Sequence, residues 1–177
     1  MPPLETITLH LTASSIEAYC NALTRRSATL EKRVAALDAL MTFIATQTDA
    51  GEQAKAEFAA IRQTLHTHFE LAHAALLAER TERLQRALSS HHLPTITTLY
   101  SSLSRDAFWT LLGRVVERLE AGQLSALRSW AADWMMAAKQ RAKQATPYPD
   151  AIDFGAAGID ASEYLAMSDL CRYLGVE

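Results

Sequence analysis

Three residues of one predicted helix have the types and spacing of a metal site. His66, Glu70 and His73 lie at positions i, i+4 and i+7, so all three project from one side of the helix. Imidazole and carboxylate groups at this spacing can share a divalent metal ion in a helical bundle. Glu70 and His73 also match half of a di-iron site, but the chain has no second Glu-x-x-His, so we reject that centre. The trio lies beside the apolar stripe of the helix, which favours packing under later helices or exposure to solvent, and we predict no cofactor.

A second chemistry would combine arginine with histidine. Arg86 with His91, and Arg62 with His68, have the Arg-x(4–6)-His spacing of a type of ribonuclease built as a dimeric helical bundle. Arginine can stabilise the charge of a phosphorane-like transition state while histidine transfers protons near neutral pH. Such a spacing is expected about once by chance in a chain with this many arginines and histidines. A helical-bundle enzyme, either metal-dependent or an Arg/His ribonuclease-like toxin, is therefore the alternative functional hypothesis.

The chain carries no motif of nucleophilic catalysis or nucleotide binding. It has no Gly-x-Ser-x-Gly, no glycine-rich phosphate loop and no cysteine close to a histidine in sequence. Trp130, Trp134, Met135 and Met136 could line a ligand cavity or an interface, although their helical spacing is more typical of a core. A bundle with an apolar ligand cavity near the tryptophans is the third hypothesis.

The elements that must position these residues are predicted to be helices. Of the 177 residues, 49% are hydrophobic and 21% are charged, which is typical of a globular chain. The formal net charge of −3 gives no reason to expect nucleic acid as a partner. Gly51 is the only glycine or proline between residues 4 and 93, which leaves room for two long helices at 14–48 and 52–91. The predicted fold class is all-α, with this long antiparallel hairpin packed with two medium helices and a short C-terminal helix.

The first long helix has the strongest periodic signal in the sequence. Ser14 and Glu17 form a capping box at its start, and Asp49 with Glu52 forms another at the start of the second. Apolar positions then alternate in steps of four and three for four heptads, a coiled-coil-type pattern with one polar break at Ser27. One row of this pattern consists of Ile16, Leu23, Leu30, Leu37 and Ile44.

The later part of the chain is predicted to pack against the hairpin. The second long helix carries a core stripe that ends at Leu76 and a flanking stripe of Leu77, Leu84 and Leu88, so its second half should contact more than its hairpin partner. A short helix near Pro94 precedes two medium helices within 104–146, which Gly122 separates.

An acidic tail follows at 147–177. It contains six acidic residues and one basic residue, Arg172. Asp160 and Glu163 form a capping box for a short helix that should end before Gly175 and dock on the body. The acidic residues are expected either to neutralise the slight positive excess of the body or to bind a basic partner.

The hairpin leads to the main functional hypothesis. The medium helices are about half as long as its arms and can cover only part of the heptad row. An apolar strip left uncovered over that length is unusual for a monomer and indicates association. We predict one domain over 1–177 that acts as a non-enzymatic protein-interaction module of the adaptor, chaperone, immunity or secreted-effector type. It would form a homodimer or bind a protein partner through Leu23, Leu30, Leu37, Ile44, Leu77 and Leu84.

The same sequence guides the expected location. Residues 1–15 have neither the basic region nor the apolar region of a signal peptide, and no apolar stretch is long enough to span a membrane. Cys20 and Cys171 lie in no disulfide or metal pattern. A cytoplasmic setting is therefore the default expectation, and secretion without a cleaved signal is left open.

Overall fold

The described part of the chain is built from α-helices alone. In this computed structural model the described residues are 13–25, 29–45, 52–148 and 151–176, and they contain no β-strand. The all-α prediction is confirmed. The helices in chain order are α1 (Ala13–Arg25), α2 (Leu30–Ala45), α3 (Glu52–Ser89), α4 (Leu93–Ser101), α5 (Arg105–Val116), α6 (Ala121–Gln144) and α7 (Ala161–Leu174).

The chain divides into two compact units, Met1–Leu77 and Ala78–Glu177. Helices α1 and α2 belong to the first unit and α4 to α7 belong to the second, while α3 contributes residues to both. That one domain covers 1–177 stays a prediction. Among the described helices, none combines the length and the apolar character that crossing a lipid bilayer requires.

The first arm of the hairpin consists of two helices where the heptad pattern predicts one over 14–48. Thr29 lies outside any helix, and its Oγ1 accepts a hydrogen bond from the Lys32 backbone N at 3.4 Å. Its carbonyl also accepts from Arg33 N at 3.0 Å, so Thr29 caps the start of α2. A threonine hydroxyl competes with the helical ladder for backbone donors, which favours an end over an interior position. Ser27 and Asp49 lie outside the described residues, and Ser14 lies inside α1.

The heptad rows of the first unit form its core. Side chains from α1, α2 and the first part of α3 make one cluster, because each helix turns its apolar stripe toward the others. The buried members are Ile16, Cys20, Leu37, Ile44, Ile61, Leu65 and Ala72. Six further hydrophobic side chains pack on this cluster but stay partly exposed: Leu23, Val34, Leu40, Met41, Phe58 and Phe69.

In the second unit, α7 packs against α4, α5 and α6. The Asp160 carboxylate accepts a hydrogen bond from Ser162 N at 2.7 Å, and Gly175 ends the helix with a φ of 67°, a left-handed conformation that suits glycine. Both predicted ends of this helix are confirmed. The Cys171 thiol also donates to the Ala131 carbonyl at 3.4 Å, which joins α7 to α6. The C-terminal helix is therefore docked through its buried face.

The boundary between α5 and α6 differs from the prediction. Helix α5 begins after Ser104, whose hydroxyl accepts from Ala107 N at 3.3 Å, but it ends at Val116. Gly122 lies in the first turn of α6 and does not separate the two helices. The Glu120 backbone N donates to Gln123 Oε1 at 3.1 Å, so a local cap sets the start of α6.

The two faces of α7 should respond differently to truncation. We expect Met167→Ala to lower the free energy of unfolding by about 2–5 kcal/mol, because Met167 is fully buried. Leu165→Ala on the same helix should change it by less than about 0.5 kcal/mol, because Leu165 is 50% exposed. Urea unfolding followed by circular dichroism measures both values. Equal losses for the two variants would contradict the described orientation of α7.

Candidate functional site

The predicted metal ligands do not form a ligand set. His66, Glu70 and His73 are all exposed, and in the described part of the chain no three His, Cys, Asp or Glu side chains come together as metal ligands. The His73 ring instead stacks along Phe69, with ring centroids 5.8 Å apart. The i, i+4, i+7 spacing places these groups on one side of α3, but no other described element supplies the remaining ligands of a closed site.

The predicted interface row is largely interior. Leu37, Ile44 and Leu84 are buried within the chain, while Leu23, Leu30 and Leu77 are half-buried. A side chain that is already buried has little area left to offer a partner. Half of the predicted residues are thus core positions within the chain, and an interface formed by the half-buried ones stays a prediction.

Three large side chains of the first unit are open to solvent instead. Tyr19 on α1 is 43% exposed, Phe43 on α2 is 46% exposed and Leu71 on α3 is 63% exposed. Sequence reasoning missed them because they lie outside the heptad row and the core stripe. An aromatic or leucine residue off the main stripe of an amphipathic helix was the available signal.

A buried carboxylate joins three helices of the second unit. Asp169 on α7 accepts from Arg105 Nε at 2.9 Å and from its Nη2 at 2.5 Å, and the Tyr100 hydroxyl donates to it at 3.1 Å. Burial raises the pKa of Asp169, but the hydrogen bonds from Arg105 and Tyr100 outweigh it and the pKa is lowered. The Trp109 indole also lowers the pKa of Asp169, although its N–H makes no hydrogen bond to a described residue. This acidic residue of the tail is thus neutralised within the chain.

The pKa of Tyr100 changes in the opposite direction to that of Asp169. The pKa of its phenol is raised, first by burial and then by the hydrogen bond to Asp169. Tyr100 therefore stays a protonated donor to the carboxylate. The Tyr100 ring also meets Phe108 edge to face, with centroids 5.0 Å apart. These contacts hold α4, α5 and α7 together.

The turn between α3 and α4 has an unusual backbone. His91 has a φ of 53°, and it is the only described residue other than glycine with a positive φ. His91 N donates to Leu88 O at 3.3 Å and His92 N donates to Ala87 O at 2.8 Å, which is the Schellman arrangement that ends a helix. The position usually holds glycine, so His91 carries a conformational cost. Its ring stacks on Trp130 at 4.8 Å and 8°, which offsets that cost.

The structure separates Arg86 from its predicted partner. Arg86 lines two open pockets at the end of α3, and the His91 side chain lines neither of them. His92 lies in the second pocket with Arg86, together with Arg83, Ser90 and Thr95. His92 also satisfies the Arg-x(4–6)-His spacing, a match that the sequence reading overlooked. The helix-ending turn decides which of the two adjacent histidines faces the arginines.

The tryptophan region is mainly packed interior. Met135 is buried, Trp130 and Trp134 are half-buried, and Met136 is exposed. A pocket of 110 Å³ lies near the α3–α4 turn, but neither tryptophan lines it. It is smaller than the cavities of 300 Å³ or more that are typical of small-molecule sites. The ligand-cavity hypothesis gains no support from this region.

Protonation of Asp169 should weaken the second unit. Because its pKa is lowered from the usual 3.8 in the folded protein, the carboxylate stabilises the fold above that value and the contribution is lost as the pH falls through the folded pKa. We expect Asp169→Asn to lower the free energy of unfolding by about 1–2 kcal/mol at pH 7, a modest figure because Arg105 is more than half exposed. Urea midpoints of both proteins between pH 7 and pH 3 test this. A difference that persists unchanged at pH 3 would contradict it.

The positive φ at residue 91 predicts that replacement by glycine is less destabilising than replacement by alanine, the reverse of the usual order. His91→Ala keeps the conformational cost and loses the stacking on Trp130, whereas His91→Gly removes the cost. We expect the glycine variant to be more stable than the alanine variant by about 1 kcal/mol. Chemical denaturation of the three proteins gives the comparison. An alanine variant at least as stable as the glycine variant would show that residue 91 is not left-handed in solution.

Comparisons with known proteins add no relative to this description. No protein-family model, no curated protein and no solved structure matches the chain. Its function is therefore inferred from its own residues and contacts.

Proposed function

We propose that the chain is a non-enzymatic protein-interaction module that works by helix-mediated association through its first unit. The observation that carries the proposal is the exposure of large apolar side chains on all three helices of that unit, represented by Tyr19, Phe43 and Leu71. Large apolar side chains that a folded unit leaves exposed can form a protein-binding face. Adaptor, chaperone, immunity and secreted-effector roles all use such a face.

The small core of the first unit also supports this proposal. Its cluster has seven buried members, and six more hydrophobic side chains on its border are only partly covered. Nearly half of the apolar side chains in the cluster thus keep some contact with water. Short helices depend on tertiary packing for their stability, so α1 and α2 would gain from further burial. A second copy of the chain or a partner helix would supply that burial.

The outer side of α1 offers a surface of suitable shape. A shallow groove runs along Ala18, Asn21, Ala22 and Arg25. Two alanines one turn apart allow the backbone of another helix to approach closely, and Tyr19 beside them supplies an aromatic side chain. Aromatic residues contribute a large share of binding energy at protein interfaces.

The enzymatic alternative has less support. Its metal version requires ligands that His66, Glu70 and His73 do not complete among the described residues. Its Arg/His version was predicted for Arg86 and His91, which line different pockets, whereas Arg86 and His92 line one pocket together. The association hypothesis does not require particular side chains to meet in one site, and it uses surface that is already exposed.

Replacing the exposed apolar side chains should abolish association and preserve the fold. We expect Tyr19→Ser combined with Leu71→Ser to weaken self-association, or retention of a partner, by at least about tenfold, because two large apolar contacts are lost. Light scattering across a concentration series detects a homodimer, and a pull-down with the purified chain as bait detects a different partner. Circular dichroism confirms that the variant stays helical.

A matched control comes from the second unit. Met136→Ser combined with Leu165→Ser removes two side chains that are 64% and 50% exposed, and it should leave association unchanged. A wild-type chain that stays monomeric at all concentrations and retains no partner would refute the proposal. Equal effects of the two double variants would show that the first unit has no special role.

A further inference from the structure

The pocket at the α3–α4 turn concentrates hydrogen-bond donors in a small volume. Arg83, Arg86 and Ser90 approach it from the last turns of α3 and the residue that follows, and His92 and Thr95 approach it from the start of α4. Its volume is about 330 Å³, at the lower end of small-molecule sites. All of these residues belong to the second unit, so the pocket is independent of the association surface.

The two arginines are not used by the fold as ion-pair partners. Glu79 and Glu82 precede Arg83 and Arg86 by four residues, the spacing that most favours pairing along a helix. Within the described residues, however, no carboxylate lies within 4.0 Å of either guanidinium. Arg86 Nε donates only to the Glu82 backbone carbonyl, at 3.4 Å. Both side chains line the pocket, where most of their donors remain available.

The rest of the pocket is fixed by short-range contacts. His92 Nδ1 and Thr95 Oγ1 are 2.8 Å apart, so each orients the other. The Ser90 hydroxyl donates its one proton to the Arg86 carbonyl at 2.8 Å, so Ser90 shapes the pocket and the donors for an anion come from other side chains. The amides of Thr95 and Ile96 are bonded to the His92 carbonyl, so the donors for a ligand come from side chains and not from the α4 N-terminus.

From this arrangement we propose that the pocket binds a phosphate dianion, either free or as a phosphate monoester. Two guanidinium groups provide planar pairs of N–H donors, which match the oxygens of a phosphate group. When the Thr95 hydroxyl donates to His92 Nδ1, the proton of the His92 ring lies on Nε2, which then adds a further donor. Nucleic acid fits less well, because it requires a basic stripe along many phosphates and the chain has a net charge of −3.

Calorimetric titration tests the proposal on the full chain. Glycerol 3-phosphate and inorganic phosphate are the probes, at matched ionic strength in chloride, and glycerol is the uncharged counterpart. We expect a Kd on the order of 1 mM at low salt, weakening as the ionic strength rises, and no binding of glycerol. Tighter binding of glycerol 3-phosphate identifies the monoester as the ligand, whereas equal binding of both probes identifies free phosphate.

Variants assign the binding to this pocket. Arg83→Gln combined with Arg86→Gln should weaken binding at least about tenfold. Arg114→Gln combined with Arg118→Gln removes two exposed arginines elsewhere in the second unit and should change the Kd less than about twofold. Amide shifts of His92 and Thr95 during the titration locate the site independently of the variants.

Two results would overturn the proposal. One is the absence of binding by both phosphate probes, or binding that the Arg83 and Arg86 replacements leave intact. The other is binding of a single-stranded oligonucleotide that depends on these arginines while the phosphate probes fail, which would indicate nucleic acid instead.

Discussion

Every helix of the chain must bury its apolar stripe, and this constraint has its largest consequences along α3. The first part of α3 provides Ile61 and Leu65 to the core of the first unit, and its last turns provide Leu84 and Leu88 to the second. A helix with apolar residues on more than one side needs more than one set of neighbours. In the second unit, α6 is such a neighbour, since Leu127 lies beside Leu88 in one pocket. The first unit has only α1 and α2 beside α3 among its described elements, which is why its apolar border stays partly open.

A second constraint is that a buried charge needs a partner of opposite charge. It distinguishes charged residues that hold the fold together from those that can bind a ligand. The buried carboxylate of Asp169 requires compensation, and Arg105 and Tyr100 provide it through three hydrogen bonds. Arg83 and Arg86 have carboxylates one turn away along the helix, but no pairing is found among the described residues. Part of their charge complements the negative end of α3. The remaining donors are free to bind a ligand, which Arg105 cannot do without releasing α7.

Local signals in the sequence predicted local structure. Asp160 and Gly175 identified both ends of α7, and the heptad positions from Ile16 to Ile44 identified the core of the first unit. That the same row forms an interface stays a prediction, because periodicity shows that a face is buried but not which surface covers it. The sequence predicted a continuous helix through Thr29 and a helix end at Gly122, and both predictions are wrong. Both residue types occur at helix ends and inside first turns, and only the competing hydrogen bonds decide.

The contacts that organise the second unit could not be predicted in this way. Asp169 and Arg105 are 64 residues apart, and no local pattern specifies their pairing. The Arg83–Arg86 pocket lies beside a turn that has one unusual backbone angle, at His91. The left-handed His91 ends α3, and His92 and Thr95 at the start of α4 line the pocket together with the two arginines.

Glycine would make that reversal without conformational cost, but it would have no ring to stack on Trp130. Histidine at position 91 therefore costs the turn some backbone energy and fixes it against α6. The neighbouring His92 is then held at a defined position beside Thr95 and the arginines. Exposed side chains alone give a pocket little rigidity. The stacking of His91 on Trp130 and the contact of His92 with Thr95 fix the turn, and the fixed turn keeps the donors of the pocket together.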